Sequence, residues 1–321
     1  MPPLDDSPNA RINASIIILT KNGEQYLYSL LAALYCQTGI ESAEVIVIDS
    51  GSMDTTLRIV SEFPKAKLVE IPAHEFGHGK TRNLGAQLAR GEYLVFLPQD
   101  ATPIGSEWLS SLLQPFAEAE VAGVFGRQVA RVDASPMERF FLDYTYSSEY
   151  ALKRIQAGES GSLVRCFFST VGGAIRASVW ALHPFRDDII MSEDQAWALD
   201  VMHAGHAVAY QPSAEVWHSH HYGVADIFRR NFDSGFSVRQ IFSGATGITA
   251  LSGLGRLAAE AIYVVQHGRV KDWMFFIPYE FARHVGFLLG LYGHRLPRRV
   301  CRYCSKLTYF WDQHPRSQGV V

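Results

Sequence analysis

The chain has 321 residues, 48% of them hydrophobic and 19% charged, a balance that suits one large globular domain or two and excludes a largely disordered chain. The formal net charge of -3 divides into +6 over residues 241–321 and -9 over the remainder. That division argues against a nucleic-acid partner and points only the basic end toward an anionic surface. Cys36, Cys166, Cys301 and Cys304 are few and scattered, as in a reducing cytosol, and Cys301-x-x-Cys304 has no second pair to complete a zinc site. MPPLDDSPNAR lacks the basic start and apolar core of a signal peptide, and no uninterrupted 18-residue apolar run supports a conventional membrane span.

Residues 1–13 are Pro- and Asp-rich and read as disordered. ASIIIL, residues 14–19, reads as a buried strand, with turn chemistry at Thr20-Lys21-Asn22-Gly23 and a helix over 24–37. A second strand, 45–48, ends in the acidic turn Asp49 to Asp54, before a helix over 55–62 and a third strand over 67–71. This alternation predicts an α/β fold with helices over a mainly parallel sheet. An acid beyond such a strand commonly grips a ribose or a base edge, although Asp54 also suits the cap of the following helix. The next loop, His74 to Asn83, is dense in glycine, histidine and base. Its Lys80 and Arg82 can neutralise phosphate, or can simply be solvated charge, and the helix is read from Leu84 to Ala89.

GEYLVFLPQDA, residues 91–101, is the stretch around which the rest is organised. Tyr93 to Leu97 reads as a strand buried on both faces, and Asp100 lies just past its carboxyl end, where open α/β sheets bind ligands. A carboxylate there can hold a hard divalent cation, Mg²⁺ or Mn²⁺, and through it phosphate oxygens; the alternative is a turn Asp that caps the next segment. A helix over 107–119 and a strand over 123–128 follow. SPMERFFLDYTYSSEY, residues 135–150, reads either as a flap lining a pocket or as a structural helix turning Phe140, Phe141 and Tyr144 inward. Gly172-Gly173 suits close approach of backbone to a ligand, or a bulge. Ser192 is placed as the N-cap of a helix carrying Glu193 and Asp194, acids that the helix dipole also favours. In the extended stretch 208–222, His218 and His220 share one face and His221 the other.

IIILTKNG, VIVIDSGSMDTT, GKTRNLGAQLARGEYLVFLPQDA and MSEDQAW occur in the order found in inverting family-two glycosyltransferases of the GT-A fold, and the resemblance covers residues 14–222. HEFGHGKTRNLGA, the QDA form of the acidic motif and SPMERFFLDYTY are similar to bacterial rhamnosyltransferases of O-antigen assembly. The resemblance implies a nucleotide-diphosphate sugar donor, dTDP-β-L-rhamnose, and a lipid-linked saccharide acceptor. It implies donor binding by Thr20, Asp49, Asp54, Lys80, Arg82, Gln99 and Asp100, and metal binding by Asp100 and His218. Asp194 is then the base that takes the acceptor's proton, with Glu193 orienting acceptor or partner residues. The usual motif has two metal-facing acids; here Gln99 and Ala101 flank a single one.

The GT-A catalytic domain is accordingly placed at 14–240, with a helical, basic and aromatic region at 241–321. Helices are read over 253–266 and 273–292, with Pro278 starting or kinking the second. Phe275, Phe276, Phe287 and Leu288 beside the cluster Arg295, Arg298, Arg299, Arg302 and Lys306 suit an interfacial anchor on the inner face of the cytoplasmic membrane; a helical cap on the catalytic domain, or a homodimer contact, is the alternative. Two other readings stay open, a sugar-phosphate nucleotidyltransferase and a non-enzymatic, membrane-associated glycan-binding protein.

Overall fold

The computed structural model describes residues 13–156, 159, 161–242 and 250–314, with side chains from residue 255 onward in the last stretch. Apart from Asn13, the N-terminal stretch read as disordered lies outside the described residues. β1 (Ala14–Thr20) leads through α1 (Leu27–Tyr35) to β2 (Ala43–Asp49), α2 (Thr56–Ser61), β3 (Ala66–Glu70), α3 (His78–Leu88) and β4 (Tyr93–Pro98). The four strands lie side by side and parallel in the order β3-β2-β1-β4. Their near-continuous apolar runs follow from burial on both faces. Ile17, Ile46, Ile48, Leu94 and Phe96 pack into one core. Ile16, Ile18, Val45, Val47 and Val95 pack into another with Leu27, Leu30, Leu31 and Leu34 of α1.

The chain continues through β5 (Thr102–Pro103), α4 (Trp108–Leu113), β6 (Val121–Val129), α5 (Pro136–Thr145), β7 (Ala151–Lys153), β8 (Gly173–Arg176), α6 (Ala177–Leu182), α7 (Glu193–His203) and β9 (Ala207–Trp217). Here the sheet becomes mixed: β8 runs antiparallel to both β4 and β6, β9 runs parallel to β6, and β5 and β7 run antiparallel to β9. The helix read over 107–119 stops at Leu113 and tightens into a 3₁₀ turn at Gln114–Ala117, where Pro115 lacks an N–H to donate. Segment 135–150 holds a true helix, α5, whose N-cap Ser135 accepts from Glu138 N–H at 3.2 Å. Phe140 turns inward, while Phe141 and Tyr144 stay exposed.

α8 (Val224–Ile241), α9 (Ala250–His267), α10 (Val270–Leu291), α11 (Arg298–Cys304) and α12 (Thr308–Gln313) complete the chain. α10 begins before Trp273 and runs on through Pro278. α8 and α10 meet backbone to backbone: a Cβ on Gly286 would stand 2.3 Å from the Phe228 carbonyl oxygen, and one on Gly290 2.1 Å from that of Phe232. Only glycine lets two helices approach so closely. The pairing turns Phe275 and Phe276 into a cluster with Ile227 and Tyr279, and sets Phe287 against the main core. Of the four side chains read as an anchor, Leu288 alone is exposed. α12 returns to the catalytic sheet's side, where Gln313 Nε2 donates to the carbonyls of His74 at 2.6 Å and Phe76 at 3.2 Å.

Candidate active site

The carboxyl ends of β1, β2 and β4 are fastened to one another by short polar contacts. Gln99 Oε1 accepts from Thr20 Oγ1 at 2.7 Å and from Lys21 N–H at 2.8 Å, while its amide donates to the Lys21 carbonyl at 3.1 Å. Asp49 is buried and accepts from the N–H groups of Gly51 and Ser52 at 2.9 and 2.8 Å and from the Ser52 hydroxyl. Asp54 accepts from Thr56 N–H at 3.0 Å and from Glu24 N–H at 3.1 Å, so it orders the start of α2. The turn after β1 has its remaining N–H groups occupied too, Asn22 by Ser52 Oγ and Gly23 by Thr56 Oγ1, each at 2.7 Å. A triphosphate would find few free donors there, which weighs against nucleotidyl transfer.

Asp100 is met by two histidines, one more than the resemblance implied. His218 Nε2 stands 3.6 Å and His220 Nδ1 3.7 Å from its carboxylate oxygens, and the three ligand atoms lie within 4.8 Å of one another. β9 ends at Trp217, yet His218 N–H still donates to the Val129 carbonyl at 3.0 Å, so the strand's alternation carries both rings to one side. His221 turns away to the Asp133 carbonyl. Burial, with Arg230 and Arg131 nearby, pushes His218 down to about 3, and burial lowers His220 likewise, so both imidazoles are neutral and able to ligate. His218 Nδ1 lies 2.8 Å from Gln128 Oε1, which can only accept, so Nδ1 carries the proton and the Nε2 lone pair faces Asp100. Gln128 is itself held by Tyr146 and by Ser169 Oγ at 3.1 Å. Among the described residues this is the only cluster of three with metal-ligand character.

The second half of the site forms where α7 begins. Ser192 adopts the left-handed conformation, φ 64°, and its side chain makes no cap bond. One first-turn N–H is served instead by Asp194, whose Oδ1 accepts from Gln195 N–H at 2.9 Å. Asp194 Oδ2 accepts from Thr170 N–H at 3.1 Å. Glu193 is buried and paired with Arg82, which also donates to the His78 carbonyl at 3.2 Å. Burial alone would raise Glu193, but Arg82 prevails and holds it below the usual range. Asp194 is pushed up to about 6 by burial and then by the charge on Glu193.

Arg82 is therefore an internal partner of Glu193, and Lys80 is exposed. Residues 78–83, read as loop, form the first turns of α3. Gly79 packs against protein, because a Cβ there would lie 2.2 Å from the Arg186 carbonyl oxygen. Gly173 likewise meets the Ser169 carbonyl, at 2.3 Å from a built Cβ. Sequence reasoning passed over Arg230 of α8, whose charge lowers the proton affinity of His78, His218 and His220 alike. It also missed Arg131, which donates to the Asp100 carbonyl at 2.7 Å.

The profile of the family described as glycosyl transferase family 2 matches residues 15–171. The chain is 32% identical to the O-antigen chain rhamnosyltransferase RfbN of Salmonella typhimurium over 310 residues, 93% of this chain and 96% of that one. It is 32% identical to the O-antigen chain rhamnosyltransferase WbaN of Salmonella anatum, over 85% of this chain and 87% of that one. In fold it is similar to the mannosyltransferase PcManGT of Pyrobaculum calidifontis, solved with GDP-Man and Mn²⁺, at TM-score 0.58 and 17% identity over 91% of this chain and 89% of that one. The mixed sheet flanked by helices is thus the GT-A fold, and the chain belongs to glycosyl transferase family 2 as a glycosyltransferase that groups with the O-antigen rhamnosyltransferases.

Proposed function

We propose that the chain moves L-rhamnose from dTDP-β-L-rhamnose, with inversion, onto a hydroxyl of a lipid-linked saccharide on the cytoplasmic side of a membrane. The observation that carries the reading is the convergence of Asp100, His218 and His220 beyond the carboxyl end of β4, beside the edge to which Thr20, Asp49 and Gln99 belong. The rhamnose and O-antigen in the names of RfbN and WbaN support the donor and acceptor classes. Two neutral imidazoles and one carboxylate suit Mn²⁺ better than Mg²⁺, which prefers oxygen ligands, and Gln128 already holds His218 in the ligating tautomer. Asp100, His218 and His220 would hold such an ion, and it would supply positive charge to offset that of the departing diphosphate.

The protein's own groups do the rest. Asp194, its two oxygens fixed by Thr170 and Gln195, takes the proton of the acceptor hydroxyl. As the acceptor oxygen bonds to the anomeric carbon, the bond from that carbon to the diphosphate oxygen breaks on the opposite face. Arg230 supplies a second positive charge near the phosphates, and burial, with the negative charge of Glu193 beside it, keeps Asp194 basic enough to work near neutral pH. A thermal-shift screen with Mn²⁺ tests the reading. dTDP should stabilise the chain more than UDP or GDP, and stabilisation by none of the three removes the proposal.

A further inference from the structure

The outer face of the α9–α10 pair carries an apolar surface that the catalytic reading does not use. On α10, Val270, Met274, Ile277, Phe281 and Leu288, with Tyr292 just past its end, recur at spacings of three, four and seven, and so share one face. Met274 is 76% exposed, Ile277 73% and Phe281 70%. On the neighbouring α9, Ile262 and Val265 are each 58% exposed. Together they make an unpartnered stripe about 33 Å long, taken from the 22 residues of α10.

The charges of this helix pair point the other way. Its acids are Glu260, Asp272 and Glu280. Glu260 is fully buried and accepts from Arg256 at 3.0 Å and from both terminal nitrogens of Arg283 at 3.3 and 3.0 Å. Glu280 is buried against Arg283, and Asp272 caps α10 by accepting from Arg269 N–H at 2.8 Å. Arg269 and Lys271 are exposed where the stripe begins. At its far end Arg295 lies over the Tyr292 ring at 5.6 Å, with exposed Arg299 just beyond. The face is therefore apolar along its length but for the exposed His284 between Phe281 and Leu288, and cationic at both ends.

We infer that this face docks on a membrane surface rich in anionic lipid, with α9 and α10 lying in the interface and Arg269, Lys271, Arg295 and Arg299 on lipid phosphates. A second copy fits poorly. A two-fold contact along α10 sets the cationic start of one helix against the cationic end or start of the other, with no exposed acid of the pair to offset it. A lipid surface satisfies both the apolar stripe and the flanking charge. Neither helix crosses the membrane, since none among the described residues is long and apolar enough to do so. The surface is independent of which donor or acceptor the enzyme takes.

Co-sedimentation tests it. The full chain should partition onto vesicles of phosphatidylethanolamine mixed with phosphatidylglycerol, weakly onto phosphatidylcholine alone, and less at high salt. Ile277→Asp with Phe281→Asp, at sites already in water, should cut partitioning about tenfold or more. Lys271→Glu with Arg295→Glu and Arg299→Glu should reduce it at low salt. In both variants the thermal shift produced by Mn²⁺ with dTDP should be unchanged, which separates loss of this surface from failure of the transferase reading. Undiminished partitioning of the Ile277→Asp, Phe281→Asp variant overturns the inference. So does a wild-type chain that ignores anionic vesicles and elutes as a dimer which that variant converts to monomer; the face then belongs to a second copy.

Discussion

At the start of α7, Arg82 pairs with Glu193 next to Asp194; between α9 and α10, Glu260 pairs with Arg256 and Arg283, and Glu280 with Arg283. The electrostatics are alike. In each place an acid beside a second carboxylate is pushed up by burial, Asp194 to about 6 and Glu280 to about 7. The surroundings differ. Asp194 is partly open, its oxygens aligned by Thr170 and Gln195 in a sheet-edge site with two neutral histidines. Glu280 is closed between two helices. A perturbed carboxylate is thus no signature of catalysis by itself; access and aligned neighbours distinguish the one proposed as the base.

Substitution should separate the two clusters most strongly in rate. Asp194→Asn is expected to lower transfer about 10²–10⁴-fold with dTDP binding nearly intact, whereas Glu280→Gln should leave the rate within about twofold, both read as initial rates at saturating donor. The wild-type kcat/KM should also rise with pH through about 6, as Asp194 loses its proton, and then level off. An equal loss in both variants would erase the distinction.

A smaller effect is expected from the buried amide that serves the histidines. Gln128→Leu keeps the volume but releases the tautomer of His218, and should weaken Mn²⁺ binding about 10–100-fold by calorimetry while leaving the fold intact. Unchanged affinity would show that His218 does not ligate.

An effect of about 1–3 kcal/mol should also appear in stability against pH. Asp194 binds its proton more tightly when folded, so its contribution is full below the ordinary Asp pKa and is lost as pH rises through about 6. Glu280 should behave alike, with its loss extending to about 7. Denaturant titrations from pH 4 to pH 8 should show wild type losing stability that Asp194→Asn, over the lower window, and Glu280→Gln, over the higher, each retain. Parallel curves for all three chains would contradict the assignment.

The strands were legible because burial on both faces writes itself as uninterrupted Val, Ile and Leu, and the acids at their ends were legible with them. The start of α3 at His78 was hidden by glycines, which usually mark loops; here Gly79 serves close packing against Arg186. The pairing of Arg82 with Glu193 joins residues 111 apart, and no local pattern carries it. Aromatic content announced an amphipathic tail but not which face looks outward. That was settled by Gly286 and Gly290, whose close contact with α8 draws Phe275 and Phe276 in and leaves Ile277 and Phe281 out. The four-residue spacing of those glycines was the readable clue.

The bond from Gln313 to the His74 carbonyl closes a loop of 239 residues and holds the segment leading into α3, whose first turns place His78 and Arg82. A contact so remote along the chain forms only after the sheet has gathered its strands, because closure entropy and topology delay it. Refolding should therefore recover helix and strand signal before it recovers affinity for dTDP with Mn²⁺, and Gln313→Ala should widen that interval. Fraying of α12 would reach the start of α3 without disturbing a single strand. A chain cut near residue 270 would lose this latch together with the apolar stripe proposed to face lipid, so failure to bind a membrane and failure to bind a nucleotide are expected to arrive together.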